Sequence, residues 1–268
     1  MKQDRQTVDA RRAKILSVVR ERQKITVEEL SSRFGVSLMT IRRDLRALED
    51  EGKLGRFHGG ASVGAHTPPH AEKDTVTLYR RLISRYAASL IKPNDRVFIN
   101  GSATALDVLN YVETSPVYVF TNNGLAVSRR FPAGVDVTLS GGSLRSAGHI
   151  MTGDCTMRNL LTMRADKAFI GCSGISLNGE ILCDIPTELG VNETMIGHAD
   201  RYFILADHTK VGKAGTYASF SLETAGCIIT DEKAPSAALE RLRMLDMEVI
   251  QVSRKDFPDM TGKSNNYE

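Results

Sequence analysis

Seven short runs rich in β-branched and aromatic residues recur from residue 96 onward, with helix-like segments filling the gaps between them. They are Arg96-Val-Phe-Ile-Asn100, Val117-Tyr-Val-Phe-Thr121, Val135-Asp-Val-Thr-Leu139, Lys167-Ala-Phe-Ile-Gly171, Tyr202-Phe-Ile-Leu-Ala206, Cys227-Ile-Ile-Thr230 and Glu248-Val-Ile-Gln-Val252. Strands that alternate with helices rejoin one another by crossing over a sheet face, so the pattern predicts βαβ units around a mostly parallel sheet. Ligands of such sheets bind beyond the carboxyl ends of the strands. The residues that follow each run are therefore the place to look for a site.

Five of those strand ends share a character. The first is Asn100-Gly101-Ser102-Ala103-Thr104, leading into a helix; the second is Thr121-Asn122-Asn123-Gly124; the third is Ser140-Gly141-Gly142, with Arg145 close behind. Gly171-Cys172-Ser173-Gly174 and Ala206-Asp207-His208-Thr209-Lys210-Val211-Gly212 complete the set. Glycine admits close backbone approach, hydroxyls and amides donate hydrogen bonds, and a helix start favours negative charge. Glycine and serine also simply make turns, Asp207 can cap one, and Lys210 or Lys213 can be solvated cations. Taken together, the five loops point to a phosphorylated or polyhydroxylated ligand.

The first sixty residues have a different make-up. They hold 14 Lys+Arg against 9 Asp+Glu, whereas the remainder holds 21 against 23, so the chain's net charge of +3 conceals a basic N-terminal end. Val8, Ile15, Leu16, Val18 and Val19 form one helical stripe and predict a helix over residues 9 to 22. Thr26 and Glu29 have capping-box spacing for a second helix that ends near Phe34-Gly35. Ser37 caps a third, in which Ile41, Leu45 and Leu48 face inward before Gly52 stops it. At 100° per residue Met39, Arg43 and Arg46 project opposite that stripe, with Thr40 and Arg42 on its flanks. A basic pair on a helix is by itself a solvated face. Following a short capped helix and a glycine turn, it instead fits a helix-turn-helix whose second helix enters the major groove, where Arg reaches guanine or phosphate and Thr a thymine methyl. Residues 53 to 61, Lys-Leu-Gly-Arg-Phe-His-Gly-Gly-Ala, read as a β-hairpin wing.

The polar start lacks an apolar leader core, and no run approaches a membrane span, so a cytoplasmic protein without a membrane partner is expected. Cys155, Cys172, Cys183 and Cys227 are far apart and lack metal-ligand spacing; they read as small core residues, and neither a metal nor a cofactor is expected. The Pro-rich stretch 62–74 reads as a linker between a DNA-binding domain, 1–61, and an α/β domain, 75–255, with 256–268 as a flexible tail.

"GVSLMTIRRDLRALEDEGKLGRFHGGA" resembles the N-terminal signature of the DeoR family of bacterial transcriptional regulators, T-x-R-R-D-L…L-x-x-x-G-x-L-x-R-x-H-G-G-A. The resemblance implies a winged helix-turn-helix with Thr40, Arg42 and Arg43 on the recognition helix and Arg56 and His58 on the wing. His58 alone would be an ordinary surface or packing histidine. Thr26, Ser37, Met39 and Arg46 join the expected DNA-facing set. "FINGSATALDVL", "VFTNNGLAVS", "LSGGSLR", "DKAFIGCSGIS" and "ILADHTKVGK" are similar to successive blocks of the family's sensor domain, a Rossmann-like α/β relative of ribose-5-phosphate isomerase that binds sugar phosphates. Carried over by position, Gly101, Ser102 and Thr104 would hold phosphate, with Asn122, Gly141, Gly142, Lys167, Asp207 and Lys210 around the sugar. The chain departs from the family pattern at Asn192-Glu193, where a Lys-Arg pair is usual, and at Ala103, where a second hydroxyl is usual.

The expected protein is thus a repressor of sugar-catabolism genes, at least dimeric and plausibly tetrameric, with an operator and a phosphorylated sugar as partners. A sugar-phosphate isomerase is the alternative. It would need a carboxylate base, which Gly171-Cys-Ser-Gly174 lacks, leaving Asp184 or Glu188 to serve.

Overall fold

The computed structural model describes residues 5–50, 53–57, 60–62, 69–145, 149–213, 217–221 and 226–261, and divides into two compact units, Met1–Thr75 and Val76–Glu268. In the first unit, α1 (Arg5–Arg22) begins four residues before the expected helix and is followed by β1 (Lys24–Thr26), α2 (Val27–Phe34) and α3 (Leu38–Asp50). The wing strands β2 (Gly55–Phe57) and β3 (Gly60–Ser62) pair antiparallel, and β1, which has no signature of its own, adds to β3. Gly52 and His58 lie outside the described residues. Ile15, Val19, Ile25, Leu30, Ile41, Leu45 and Leu48 form this unit's buried core.

In the second unit all seven β-branched runs become strands of one parallel sheet. They are β4 (Arg96–Ile99), β5 (Val117–Thr121), β6 (Val135–Leu139), β9 (Ala165–Gly171), β12 (Ala199–Leu205), β14 (Gly226–Asp231) and β15 (Glu248–Val252), in the order β15-β14-β12-β9-β4-β5-β6. Alternate residues of each strand feed opposite cores. Val97, Ile99, Phe169, Phe203 and Leu205 pack with α4 (Pro69–Ser89) and α5 (Ala103–Asp107), whereas Phe98, Ile170, Ile204 and Ile228 pack with α6 (Asp154–Leu161), α7 (Pro186–Gly197) and α8 (Ser236–Arg243). Helices on both faces are what near-continuous apolar strands require.

Short antiparallel strands are added to this frame. The hairpin β7 (Ser143–Arg145) with β8 (Ile150–Thr152) follows β6, and β10 (Gly174–Ile175), β11 (Glu180–Cys183) and β13 (Tyr217–Ser221) make a separate three-stranded sheet. These five strands have no counterpart in the sequence reading.

Three expectations need correction. The helix α4 starts at Pro69, inside the stretch expected to be linker, since Pro is well suited to a helix's first turn. The tail expected from residue 256 starts at the last residue of one 3₁₀ turn, Arg254–Asp256, and contains a second, Pro258–Thr261, and Phe257 and Met260 pack on the core beside α4. Arg85 of α4 lies 5.1 Å from the Phe257 ring centre and 2.5 Å from the Asp259 carboxylate. Of the cysteines, Cys183 and Cys227 are buried, Cys172 is partly buried and Cys155 is exposed. Because Phe257 is only partly buried, Phe257→Ala should cost less than the ~3–5 kcal/mol of a core Phe, about 1–2 kcal/mol in denaturant unfolding; an unchanged midpoint would show that this segment does not contribute to stability.

Candidate functional sites

The first candidate site is the exposed face of α3. The second helix α2 is started by the expected capping box, the Thr26 hydroxyl accepting from Glu29 N at 3.2 Å while the Glu29 carboxylate accepts from Thr26 N at 2.8 Å. Those bonds hold the Glu29 carboxyl below the usual carboxylate range. They also tie up the Thr26 side chain in the cap. Gly35, at φ +62°, ends α2 in the left-handed conformation that turns the chain into α3. Ser37 Oγ accepts from Thr40 N at 3.2 Å and caps α3, and its hydroxyl lies 2.9 Å from that of Thr40. Met39, Arg42, Arg43 and Arg46 are exposed, while Ile41, Leu45 and Leu48 are buried. Arg56 falls on β2 of the wing.

Sequence reasoning missed Asp44. It lies on the inner side of α3, only 1% exposed, and accepts from Arg11 Nε at 2.6 Å and Arg12 Nε at 3.2 Å. Two α1 guanidinium groups thereby fix the angular position of α3, and with it the direction in which the arginines point. An acid on a basic helix carries no sequence signal of burial beyond its place beside the Ile41/Leu45/Leu48 stripe.

The second candidate site is a cleft of about 260 Å³ at the carboxyl ends of β4 and β9. From β4 the sheet grows one way through β5 and β6, then resumes on the other side with β9, so the cleft lies where strand order reverses. That is the position at which open α/β sheets bind ligands. Its floor is Asn100-Gly101-Ser102 and Gly171-Cys172-Ser173 at the strand ends, and Lys210, Ile150, residues 181–185, Glu188 and Asn192 complete the lining as walls.

Asn100 holds the floor together. Its Nδ2 donates to Gly171 O at 2.9 Å and Asn192 Oδ1 at 3.0 Å, and its Oδ1 accepts from Gly171 N at 3.0 Å and Ser102 N at 3.3 Å. Gly171 is required because a Cβ there would overlap the Ser102 side chain. Ser173 Oγ accepts from Asp184 N at 3.1 Å, and Lys210 Nζ donates to Cys172 O at 2.5 Å. Burial pushes the Cys172 thiol up to about 11, so it is no nucleophile near neutral pH. Burial also raises Glu188 above the usual carboxylate range; Arg145 opposes the shift and Asp184 adds to it.

Of the residues expected at this site, Asn100, Gly101, Ser102, Ser173 and Lys210 line the cleft. Others support it from behind. Asn123 Nδ2 donates to Gly101 O at 3.0 Å and Ser102 O at 3.3 Å, Asn122 Nδ2 donates to Met151 O at 3.1 Å, and Thr121 Oγ1 accepts from Asn123 N at 3.0 Å. Arg145 bonds the Thr187 hydroxyl at 3.3 Å, beside the α7 wall. Four lie elsewhere: Thr104 is buried and its carbonyl accepts from Ser84, Ala103 is an exposed first residue of α5, and Gly141 and Gly142 pack against α6. Lys167 is also away from the cleft. It lies four residues before the end of β9 and bonds Asp95 at 2.6 Å, near the amino ends of the strands.

Asp207 stands behind Lys210 with a fully buried carboxylate, bound by Arg80 Nε of α4 at 2.7 Å and by the Thr209 hydroxyl at 2.5 Å. Burial would raise its pKa, but these bonds together outweigh it and hold the carboxyl below the usual 3.8. The wall residues Glu188, Asp184 and Asn192 carried no ligand signal in sequence; the first two entered only as stand-in bases and the third as a departure from a basic pair.

A winged helix-turn-helix with an arginine-lined recognition face, followed by an α/β unit with a polar, ligand-sized cleft at its switch point, defines a DNA-binding protein of the helix-turn-helix class with a sensing domain. The model of the DeoR-like helix-turn-helix domain matches residues 11–67, and that of the DeoR C terminal sensor domain matches residues 77–232. The chain therefore belongs to the DeoR family, whose members are transcription regulators and not enzymes. It is 28% identical over 250 residues to a putative aga operon transcriptional repressor of Escherichia coli O157:H7, covering 90% of this chain and 93% of that one. It is 30% identical over 237 residues to the glycerol-3-phosphate regulon repressor of Escherichia coli K12, covering 85% and 92%. Among solved structures, ribose 5-phosphate isomerase from Plasmodium falciparum aligns with 50% of this chain and 52% of its own at 14% identity and a TM-score of 0.36. Among the described residues no helix is long and apolar enough to cross a membrane.

Two predictions follow from the buried acids. Asp44→Asn removes the charge that both arginines share and should destabilise the protein by about 1.5–3 kcal/mol in denaturant unfolding, with DNA affinity falling for all sequences alike; unchanged stability would show that water screens the pair. For Asp207 the folded pKa is depressed, so its contribution is complete above the ordinary value of 3.8 and is lost as pH falls through the folded pKa. The stability gap between wild type and Asp207→Asn, measured by thermal unfolding across pH 2.5 to 6, should shrink below about pH 4; a gap independent of pH would mean that packing and not charge sets it.

Proposed function

We propose that this regulator represses sugar-catabolism genes and that a phosphorylated sugar in the switch-point cleft sets its affinity for the operator. The observation that carries the reading is the cleft's chemistry. Gly101 makes room for the Ile150 side chain, Ser102 and Ser173 offer hydroxyls, Lys210 supplies a cation, and Asp184, Glu188 and Asn192 add acceptors or amide partners for sugar hydroxyls. A volume of about 260 Å³ suits a small phosphosugar better than a nucleotide or peptide. One relative is named for repression of a glycerol-3-phosphate regulon, another for an aga operon, which agrees with a small phosphorylated effector and a catabolic target.

On the DNA side, Ser37, Met39, Thr40, Arg42, Arg43 and Arg46 are the residues of α3 and its cap that meet the major groove, and the family's wing pattern adds Arg56 and His58. Paired units reading half-sites require a homo-oligomer, at least a dimer. Effector and operator then oppose each other by linkage: whatever factor the sugar takes from DNA affinity, DNA takes from sugar affinity.

The test is fluorescence anisotropy of labelled operator DNA titrated with protein, with and without a panel of phosphosugars. One sugar phosphate should shift affinity by about 5- to 150-fold, and its unphosphorylated form should not. Gly171→Ala, which crowds Ser102, should retain DNA affinity within about twofold yet lose the response. A response that survives Gly171→Ala would move the effector out of this cleft, and DNA binding indifferent to sequence would remove the operator reading.

A further inference from the structure

We propose that Met39, with Leu38 beside it, reads the C5 methyl groups of thymine in the operator, within a frame of arginines that hold the helix in the groove. The inference rests on α3 being the helix that enters the major groove. Its buried stripe of Ile41, Leu45 and Leu48 and the Asp44 clamp to Arg11 and Arg12 fix which face turns outward. At 100° per residue Met39 lies at the centre of that outward face, between Arg43 and Arg46, and Leu38 lies at its edge beside Arg42. Met39 is 72% exposed and Leu38 40%, and among the described residues of this unit they are the exposed large apolar side chains.

Thr40 is the residue whose type suggests a methyl contact, but it is half-buried and its hydroxyl is engaged with Ser37 in the cap. The apolar contact surface is therefore supplied by the two residues before it. Neither Leu nor Met donates a hydrogen bond, so neither gains from the amino or carbonyl groups of the base edges. Thymine alone among the four bases presents a methyl in the major groove. The unbranched thioether of Met39 can adapt to it, while Arg43 and Arg46 reach guanine or phosphate on either side. The operator should therefore carry thymines opposite the first turn of α3, flanked by guanine-rich steps.

Deoxyuridine differs from thymidine only by this methyl, which makes the test clean. Duplexes are selected from a random-sequence pool with the full-length protein, and each thymine of the selected site is then replaced by deoxyuridine, one position at a time. Anisotropy titration of wild type should show one or two positions per half-site at which affinity falls about fourfold, the worth of one buried methyl(ene) group. With Met39→Ala or Leu38→Ala that sensitivity should vanish at the position the residue contacts, while Met39→Leu should keep it. Both residues are exposed, so the variants fold as wild type does, which circular dichroism checks. Uniformly neutral deoxyuridine substitutions, or sensitivity that persists in both alanine variants, would overturn the proposal. If no sequence emerges from selection, the recognition role of α3 fails and the methyl contact with it.

Discussion

The cleft depends on a single buried carboxamide. Asn100, 1% exposed, has its amide and its oxygen both engaged, bridging the ends of β4 and β9, the Ser102 loop and Asn192 of α7. A buried amide left partly unsatisfied costs roughly 1–3 kcal/mol for each lost partner, so the four groups it joins stay in register. The backbone ladder between β4 and β9 ends where Asn100 N donates to Phe169 O at 3.4 Å, and the loops beyond it need a side-chain connection. The side chain at the end of β4 provides that connection, and Asn123 adds a second tie beneath Gly101 and Ser102.

Much of this was legible in the sequence, for identifiable reasons. The strands of the main sheet are long enough, and apolar on both faces, so β-branched runs marked all of them. The second and third helices of the DNA-binding unit carried their own punctuation in Thr26, Gly35 and Ser37. What stayed hidden was whatever depends on the third dimension. Lys167 belongs to a strand whose far end is at the cleft, and a strand's side chains four residues apart are separated by roughly 13 Å at the usual rise; similarity of the block could not say which end mattered. The wall formed by β11 and α7 comes from segments with no strand-end pattern, so Ile181, Asp184 and Asn192 were not assembled with Ser102 until the fold placed them there.

Two of the buried acids, Asp44 and Asp207, show one solution applied twice. Asp44 and Asp207 are each enclosed, each receives an arginine from a neighbouring helix, and each stands behind a functional surface and not on it. A carboxylate so placed carries a large desolvation cost that only correctly positioned guanidinium and hydroxyl groups offset. Mispositioning the helix or loop would expose that cost, which makes the charge pair a determinant of geometry more than of net stability. For Asp44 the geometry is the outward direction of Met39, Arg43 and Arg46; for Asp207 it is the course of the loop that carries Lys210.

The close approach of Gly171 to Ser102 has a consequence for how such a protein can diversify. The floor of the cleft admits no additional atom at Gly171 without displacing Ser102, and Asn100 uses its polar capacity on backbone groups and Asn192, so substitution there moves the loops that line the cleft. The walls are tied unequally: Asn192 bonds Asn100, Ile150 packs on Gly101 and Ile181 belongs to the core, whereas Ile185 and Glu188 enter from the start of α7, whose backbone is secured independently of those side chains. Substitution is thus best tolerated at Ile185 and Glu188, where the lining of the cleft can change in shape and charge without refashioning the sheet beneath.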